Sequence, residues 1–228
     1  MPRVARLIIP EVALHLVQRG HNRMPCFFRP NDYADYLAYL GRFALQFGCS
    51  IHAYCLMTNH VHVLLTPHHS QACARMMKQL NQCYAQGINK AAGRSGSLWS
   101  GRFHSCLVAS ETYALTCYRY VELNPVRAGM VSHPRDYRWS SYRANAEGYG
   151  DPFLEGHAAY FGLGEAAESR RDAYLKLLEV SLEESAVEEI RRATRGGQLL
   201  GGGPPRPRGR PPRRGAGDAT AVPSPRSK

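Results

Sequence analysis

Residues 11–18, Glu-Val-Ala-Leu-His-Leu-Val-Gln, form an apolar run of strand length, ended by the turn-prone stretch Arg19-Gly-His-Asn-Arg-Met-Pro25. From Asp32 to Phe47 the apolar positions Tyr36, Leu37, Leu40, Phe43, Ala44 and Phe47 recur at helical spacing, with Asn31 or Asp32 placed to cap the helix. Two strands follow, at 50–56 and 60–65, and Met57-Thr-Asn59 joins them as a hairpin loop. Residues 70–92 predict a second long helix whose apolar side is Ala72, Met76, Leu80, Cys83 and Ile88, decorated by Arg75, Lys78 and Lys90. The Gly/Ser-rich run 93–101 predicts a loop, 102–108 a strand, and 111–123 a helix capped by Ser110 and stopped by Asn124-Pro125. This order predicts an α+β fold, a mainly antiparallel sheet with helices on one face.

Beyond Trp139-Ser-Ser-Tyr142 the pattern changes. A Gly/Asn/Asp-rich stretch to Pro152 precedes two acidic helical segments, about 165–180 and 183–194. From Gly196 onward Gly, Pro and Arg dominate, no core can form, and the composition predicts a disordered tail. The chain thus divides by composition into 1–145, an acidic helical extension at 146–196, and a basic tail at 197–228.

Charge sharpens that division. The formal net charge is +11 over 228 residues, which makes a polyanion the first partner to consider. Residues 1–145 hold 16 basic and 6 acidic side chains, 146–200 hold 6 and 11, and 201–228 hold 7 and 1. Two basic regions flank an acidic one. No apolar run approaches the ~20 residues that span a bilayer, and the start, Met1 to Pro10, is too short and too soon interrupted for a signal peptide. The seven cysteines are odd in number and form no C-x-x-C pair, against both a zinc knuckle and a disulfide framework. Cys26, Cys55 and Cys117 lie in apolar surroundings, as small core residues do. The sequence reads as that of a reduced, cytoplasmic protein.

Two segments carry candidate chemistry. In Thr58-Asn-His-Val-His-Val-Leu-Leu-Thr66, strand alternation sends His60 and His62 to one face and Val61, Val63 and Leu65 to the other. Two adjacent imidazoles are a plausible divalent-metal pair, although two histidines without a third ligand also occur on solvated strand faces. In Tyr118-Arg-Tyr-Val-Glu-Leu-Asn-Pro-Val-Arg-Ala-Gly129, Tyr120 and Asn124 are four apart and share a helix face that Tyr113 and Cys117 continue. A tyrosine can act as a covalent nucleophile at phosphorus, and an amide oxygen can complete a hard ligand set. Spacing alone does not select Tyr120 over Tyr118 or Tyr113.

Five motifs in order, His15-Leu-Val-Gln-Arg-Gly20, Asn59-His-Val-His62, Leu98-Trp-Ser-Gly-Arg-Phe103, Tyr120-Val-Glu-Leu-Asn-Pro-Val-Arg-Ala-Gly129 and Tyr137-Arg-Trp-Ser-Ser-Tyr142, resemble the REP-associated tyrosine transposases. These are single-tyrosine, IS200-like members of the HUH nuclease superfamily. The resemblance covers residues 10–145 throughout and extends more loosely to about 200. It implies a ferredoxin-like sheet bearing the His pair opposite a helix bearing the nucleophile. It further implies His60 and His62 as ligands of Mg2+ or Mn2+, Tyr120 as nucleophile and Asn124 as third ligand. The implied activity is cleavage and transfer of single-stranded DNA at hairpin-forming repeats through a 5′-phosphotyrosine, by a monomer or homodimer with no membrane partner. A repeat-DNA binder that has lost catalysis is the alternative, and a phosphodiesterase using water is a third reading.

Candidate DNA contacts follow from charge and aromaticity. Arg19, His21 and Arg23 make a basic loop after the first strand, and Arg119 and Arg127 flank the nucleophile. Arg94, Trp99, Arg102 and Phe103 mix cations with rings suited to stacking on bases, with core packing the equal alternative for Trp99. Pro207-Arg-Gly-Arg-Pro211 has the core pattern of an AT-hook, and in so basic a tail it predicts non-specific phosphate contact before sequence reading.

Overall fold

The computed structural model describes residues 6–201, so the Pro207–Pro211 motif lies outside the described residues. The elements run β1 (Ala13–Arg19), α1 (Pro30–Phe47), β2 (Cys49–Met57), β3 (His60–Pro67), α2 (Ala72–Ala91), β4 (His104–Val108), α3 (Glu111–Glu122) and α4 (Asn124–Arg127). Then come α5 (Tyr142–Glu147), α6 (Ala158–Phe161), α7 (Ala167–Glu179) and α8 (Glu184–Gly196). The strands form one four-stranded sheet in the order β2-β3-β1-β4, with every neighbouring pair antiparallel. That is the ferredoxin-like arrangement, the β2–β3 hairpin flanked by two helical crossovers.

Alternation along the strands builds two cores. Leu14 and Leu16 of β1, Tyr54 and Leu56 of β2, and Val61, Val63 and Leu65 of β3 pack on Tyr36, Leu40 and Phe43 of α1 and Met76, Leu80 and Tyr84 of α2. The other face carries Ala13, Cys55, Met57, Leu64 and Cys106. It packs on Cys117, Tyr118, Tyr120 and Val121 of α3 and on Tyr160, Tyr174, Val187 and Ile190 of α6, α7 and α8. Helices on one face therefore describe α1 and α2 alone. All nine residues of β2 are buried, and a strand apolar on both sides needs cover on both. Residues 146–196, set apart by composition, share the second core with the sheet.

Local chemistry sets the element ends. Ser110 caps α3 by accepting a hydrogen bond from the Tyr113 N–H at 3.2 Å, as its sequence position predicts. At α1 the boundary falls earlier than expected, with Arg29 at the cap, Pro30 starting the helix, and Asp32 inside it. The Asp32 carboxylate reaches back to accept from the N–H groups of Phe28 and Arg29, each at 2.8 Å. After β1 the chain turns tightly. A side chain at Gly20 would put its Cβ 2.3 Å from the Met24 carbonyl oxygen, so only glycine fits there. Asn22 and Arg23 then take left-handed conformations, with φ of 51° and 60°.

Both sheet edges are covered. The β2 edge receives residues 139–141 and 155: the Leu56 N–H donates to the Trp139 carbonyl, the Ser141 N–H to Tyr54, and the Glu155 N–H to Ile51, at 2.9, 3.0 and 2.8 Å. The β4 edge receives the segment after α8, where the Leu107 N–H donates to Gln198 and the Leu200 N–H to Leu107, at 3.0 and 2.9 Å. The stretch read from composition as a coreless tail thus begins with residues that pair with β4 and bury Leu200.

Candidate active site

Register assembles the site. Cross-strand partners share a face, and β3 pairs His60 with Arg19 and His62 with Val17 of β1, and with Met57 and Cys55 of β2. His15, two residues before Val17, joins the same face. Its ring stacks on that of His62 with centroids 5.2 Å apart and planes 10° from parallel. Above them α3 presents Tyr120, whose ring meets both His15 and His62 edge-on at 5.5 Å. A cavity of about 860 Å³ opens here, lined by His15, His60, His62, Tyr120 and Asn124, with Arg19, Arg23 and Arg127 and, from α8, Arg191, Thr194 and Arg195.

The three tyrosines left level by spacing are separated by burial and partners. Tyr118 is fully buried and its hydroxyl accepts from the His157 N–H at 3.0 Å. Tyr113 donates to Glu189 Oε2 at 3.2 Å. Tyr120 is the one of the three that lines the cavity. Asn124 lies one turn on, at the start of α4, and its Nδ2 donates to the Tyr120 carbonyl at 2.7 Å. That bond fixes the amide and leaves Oδ1 free of it.

Hydrogen bonds orient both imidazoles. Asn59 Nδ2 donates to the Arg23 carbonyl at 2.9 Å, so Asn59 turns Oδ1 toward His60 Nδ1, 2.6 Å away. His60 therefore carries its proton on Nδ1 and keeps a lone pair on Nε2. His62 Nδ1 lies 3.0 Å from His15 Nε2, and His15 Nδ1 lies 2.9 Å from Thr194 Oγ1. Burial pushes the pKa of His60 down to about 4, with the nearby Arg19 cation adding to it. Burial alone takes His15 to about 3, and burial with His60, His15, Arg19 and Arg127 drives His62 well below its usual value. All three rings are neutral near pH 7, the state a metal ligand needs.

The rest of the cavity is cationic. Arg19 is half-buried, and its pKa is lowered first by burial and then by repulsion from Arg23 and Arg195. The Arg127 guanidinium sits 4.9 Å over the Tyr120 ring. Arg191 is held charged, first by its hydrogen bond to Glu188 and also by Tyr120. Among the described residues no carboxylate lines this cavity. Arg191 pairs with Glu184 and Glu188 outside the lining, and the excess of Arg19, Arg23, Arg127 and Arg195 makes a site for an anion.

The donor set fits a divalent ion. Two neutral imidazoles with Nδ1 engaged, beside one amide oxygen, offer the nitrogen and oxygen ligands that Mg2+ or Mn2+ accepts. Among the described residues no cluster of three or more His, Cys, Asp or Glu is arranged to hold a metal. His15 has both ring nitrogens already engaged. Asn124 lines the same cavity with an amide oxygen that could serve as a third donor.

Other sequence candidates fall elsewhere. Trp99 and Phe103 are each 7% exposed; the Trp99 indole donates to the Asn81 carbonyl at 3.1 Å and packs with Tyr36 and Tyr84. Both belong to the core, so neither offers a face for stacking. Arg119 turns away from the cavity and donates to the Val180 carbonyl just after α7. His21, Arg94 and Arg102 are exposed outside the cavity lining, with Arg94 5.4 Å from the Phe28 ring. Sequence reasoning did not single out Thr194, Arg191 and Arg195, which reach the cavity from the acidic segment. The spacing Glu184, Glu188, Arg191, Arg195 along one helix face was the available signal.

The chain matches the model of the IS200-like transposase family over residues 9–124. It is similar to the structure of a REP-associated tyrosine transposase bound to a REP hairpin, with a TM-score of 0.53 and 18% identity over 69% of this chain and 93% of that one. A weaker likeness is to a putative transposase from Deinococcus radiodurans R1, with a TM-score of 0.35 and 24% identity over 50% of this chain and 92% of that one. A search of curated proteins returns no match. A family match over half the sequence, on a fold shared with a REP-associated tyrosine transposase, settles the kinship: the chain belongs to the IS200-like transposase family.

Proposed function

We propose that the protein is a metal-dependent, single-tyrosine DNA endonuclease and strand transferase acting on hairpin-forming single strands. The observation that carries this reading is the meeting of Tyr120 with His60, His62 and Asn124 in one carboxylate-free, arginine-lined cavity. His60 and His62, with Asn124, would hold Mg2+ or Mn2+, which supplies charge withdrawal from a phosphate oxygen. The Tyr120 oxygen attacks the phosphorus and loses its proton. The new bond to Tyr120 forms as the bond to the 3′ oxygen breaks; that oxygen takes up a proton and leaves as a 3′ hydroxyl. The 5′ phosphate stays on Tyr120 until another 3′ hydroxyl reverses the exchange. Arg19, Arg23, Arg127 and Arg195 neutralise the strand around the reacting phosphate.

A hairpin substrate is supported by the REP hairpin held by the structurally similar transposase. The test is a DNA hairpin with a single-stranded flank, labelled at its 3′ end and incubated with Mn2+. We expect a denaturation-resistant protein–DNA adduct that disappears with Tyr120→Phe and with His60→Ala. Cleavage that survives Tyr120→Phe would overturn the tyrosine mechanism in favour of water. Tight binding with no adduct on any hairpin would leave a repeat-DNA binder without catalysis.

A further inference from the structure

His60 is oriented from within its own hairpin, by Asn59. His62 has no such local partner. Among the described residues its Nδ1 meets only His15 Nε2, at 3.0 Å, and His15 in turn meets Thr194 Oγ1, at 2.9 Å. His15, His62 and Thr194 are 1%, 3% and 4% exposed, so each link is largely shielded from bulk water. Thr194 belongs to α8, well beyond the residues 9–124 that match the family.

Two nitrogens 3.0 Å apart share one proton, and two placements satisfy the chain. In one, His62 Nδ1–H donates to His15 Nε2, His15 Nδ1–H donates to Thr194 Oγ1, and the Thr194 hydroxyl turns to Cys106 Sγ, 3.3 Å away. In the other every proton is reversed, and His62 carries N–H on Nε2, pointing into the cavity. The cavity decides between them. Arg19 and Arg127 line it beside His62, and cations repel the positive end of an N–H dipole while they attract a lone pair. The first placement is favoured.

We propose that Thr194 of α8 is a positioning residue that anchors His15, so that His15 accepts the Nδ1–H of His62 and His62 turns its Nε2 lone pair into the cavity. The inference rests on the metal-dependent reading above. It makes the C-terminal extension part of the ligand set: α8 fixes one imidazole as the Asn59 hairpin fixes the other. Removing the Thr194 hydroxyl strands a buried N–H on His15 and frees the ring to turn.

Long-range 1H–15N spectra of the metal-free full chain, labelled on histidine, read each tautomer at pH 7. The expected result is His62 protonated on Nδ1 in the wild type and in Thr194→Ser, and a mixture of tautomers in Thr194→Val, with His60 unchanged throughout. Calorimetric titration with Mn2+ alone should show Thr194→Ser close to wild type and Thr194→Val weaker by about 10–100-fold. His62 protonated on Nε2 in the wild type overturns the proposal, whatever the variants do. Wild-type Mn2+ affinity in Thr194→Val, with affinity lost in His60→Ala, overturns the relay and leaves the metal reading standing. Wild-type affinity in His60→Ala overturns the metal reading, and the relay with it.

Discussion

His52 is a buried base outside the cavity, and it links stability to acid. Its Nδ1 donates to the Glu155 carbonyl at 2.7 Å and its Nε2 accepts from the Thr66 hydroxyl at 2.8 Å. Burial, above all, pushes its pKa down to about 4. An unfolded histidine titrates near 6.5, so the unfolded chain takes up the proton first. The stabilisation is complete above about pH 6.5 and is lost as the pH falls toward 4, a difference of about 3 kcal/mol. Urea denaturation of His52→Gln, which keeps polar contacts without titrating, should show a shallower loss of stability over this range than the wild type. Equal slopes would assign the acid limb to other groups. The same residue marks a limit of reading sequence. Alternation of β3 made the His60–His62 pair legible, whereas nothing local distinguishes His52 or His15 from ordinary strand polarity. Their partners, Glu155 and Thr194, stand 103 and 179 residues away.

At the scale of elements, α3 must hold Tyr120 steadily, and Glu122 ties it down from behind. Its carboxylate is fully buried and accepts from Ser141 Oγ at 2.5 Å, Asn145 Nδ2 at 2.7 Å and the Tyr174 hydroxyl at 2.7 Å. Burial raises its pKa while these three donors hold it down. One carboxyl group thus joins α3 to α5, to the turn before it, and to α7. Glu122→Gln replaces an acceptor by a donor facing donors and should cost about 2 kcal/mol, a fall of about 4–8 °C in Tm by calorimetry. An unchanged Tm would mean that Glu122 is protonated and already donating. The helices themselves were legible: apolar spacing, Ser110 and Asn124-Pro125 delimit α1, α2 and α3 closely. The role of Trp99 stood level between stacking and core packing until the Gly20–Trp99 bridge and the Tyr36–Tyr84 pocket placed it in the core.

For the molecule as a whole, net charge by region pointed to residues 1–145, and the fold revises that division. α8 sends Arg191 and Arg195 into the cavity from within the acidic stretch, while Glu184 and Glu188 pair with Arg191. Counting charge along the chain averages over helix faces that folding separates. If Arg195 contacts a phosphate, Arg195→Ala should weaken binding to all hairpin sequences alike. It should also reduce the slope of log K against log salt by about 1. A sequence-dependent loss with an unchanged slope would instead place Arg195 at a base.

The covered sheet edges bear on how the chain reaches this state. β2 is closed by residues 139–141 and 155 and β4 by 198–200, so the strands are complete long before their flanks. During synthesis the sheet can form once β4 has emerged, yet its last edge stays open for some 90 further residues. At translation rates of about 5–20 residues per second, that exposure lasts roughly 5–20 seconds. The C-terminal extension therefore governs a time window as well as a surface. A nascent chain stalled between residues 155 and 198 presents the unpaired β4 edge to its neighbours.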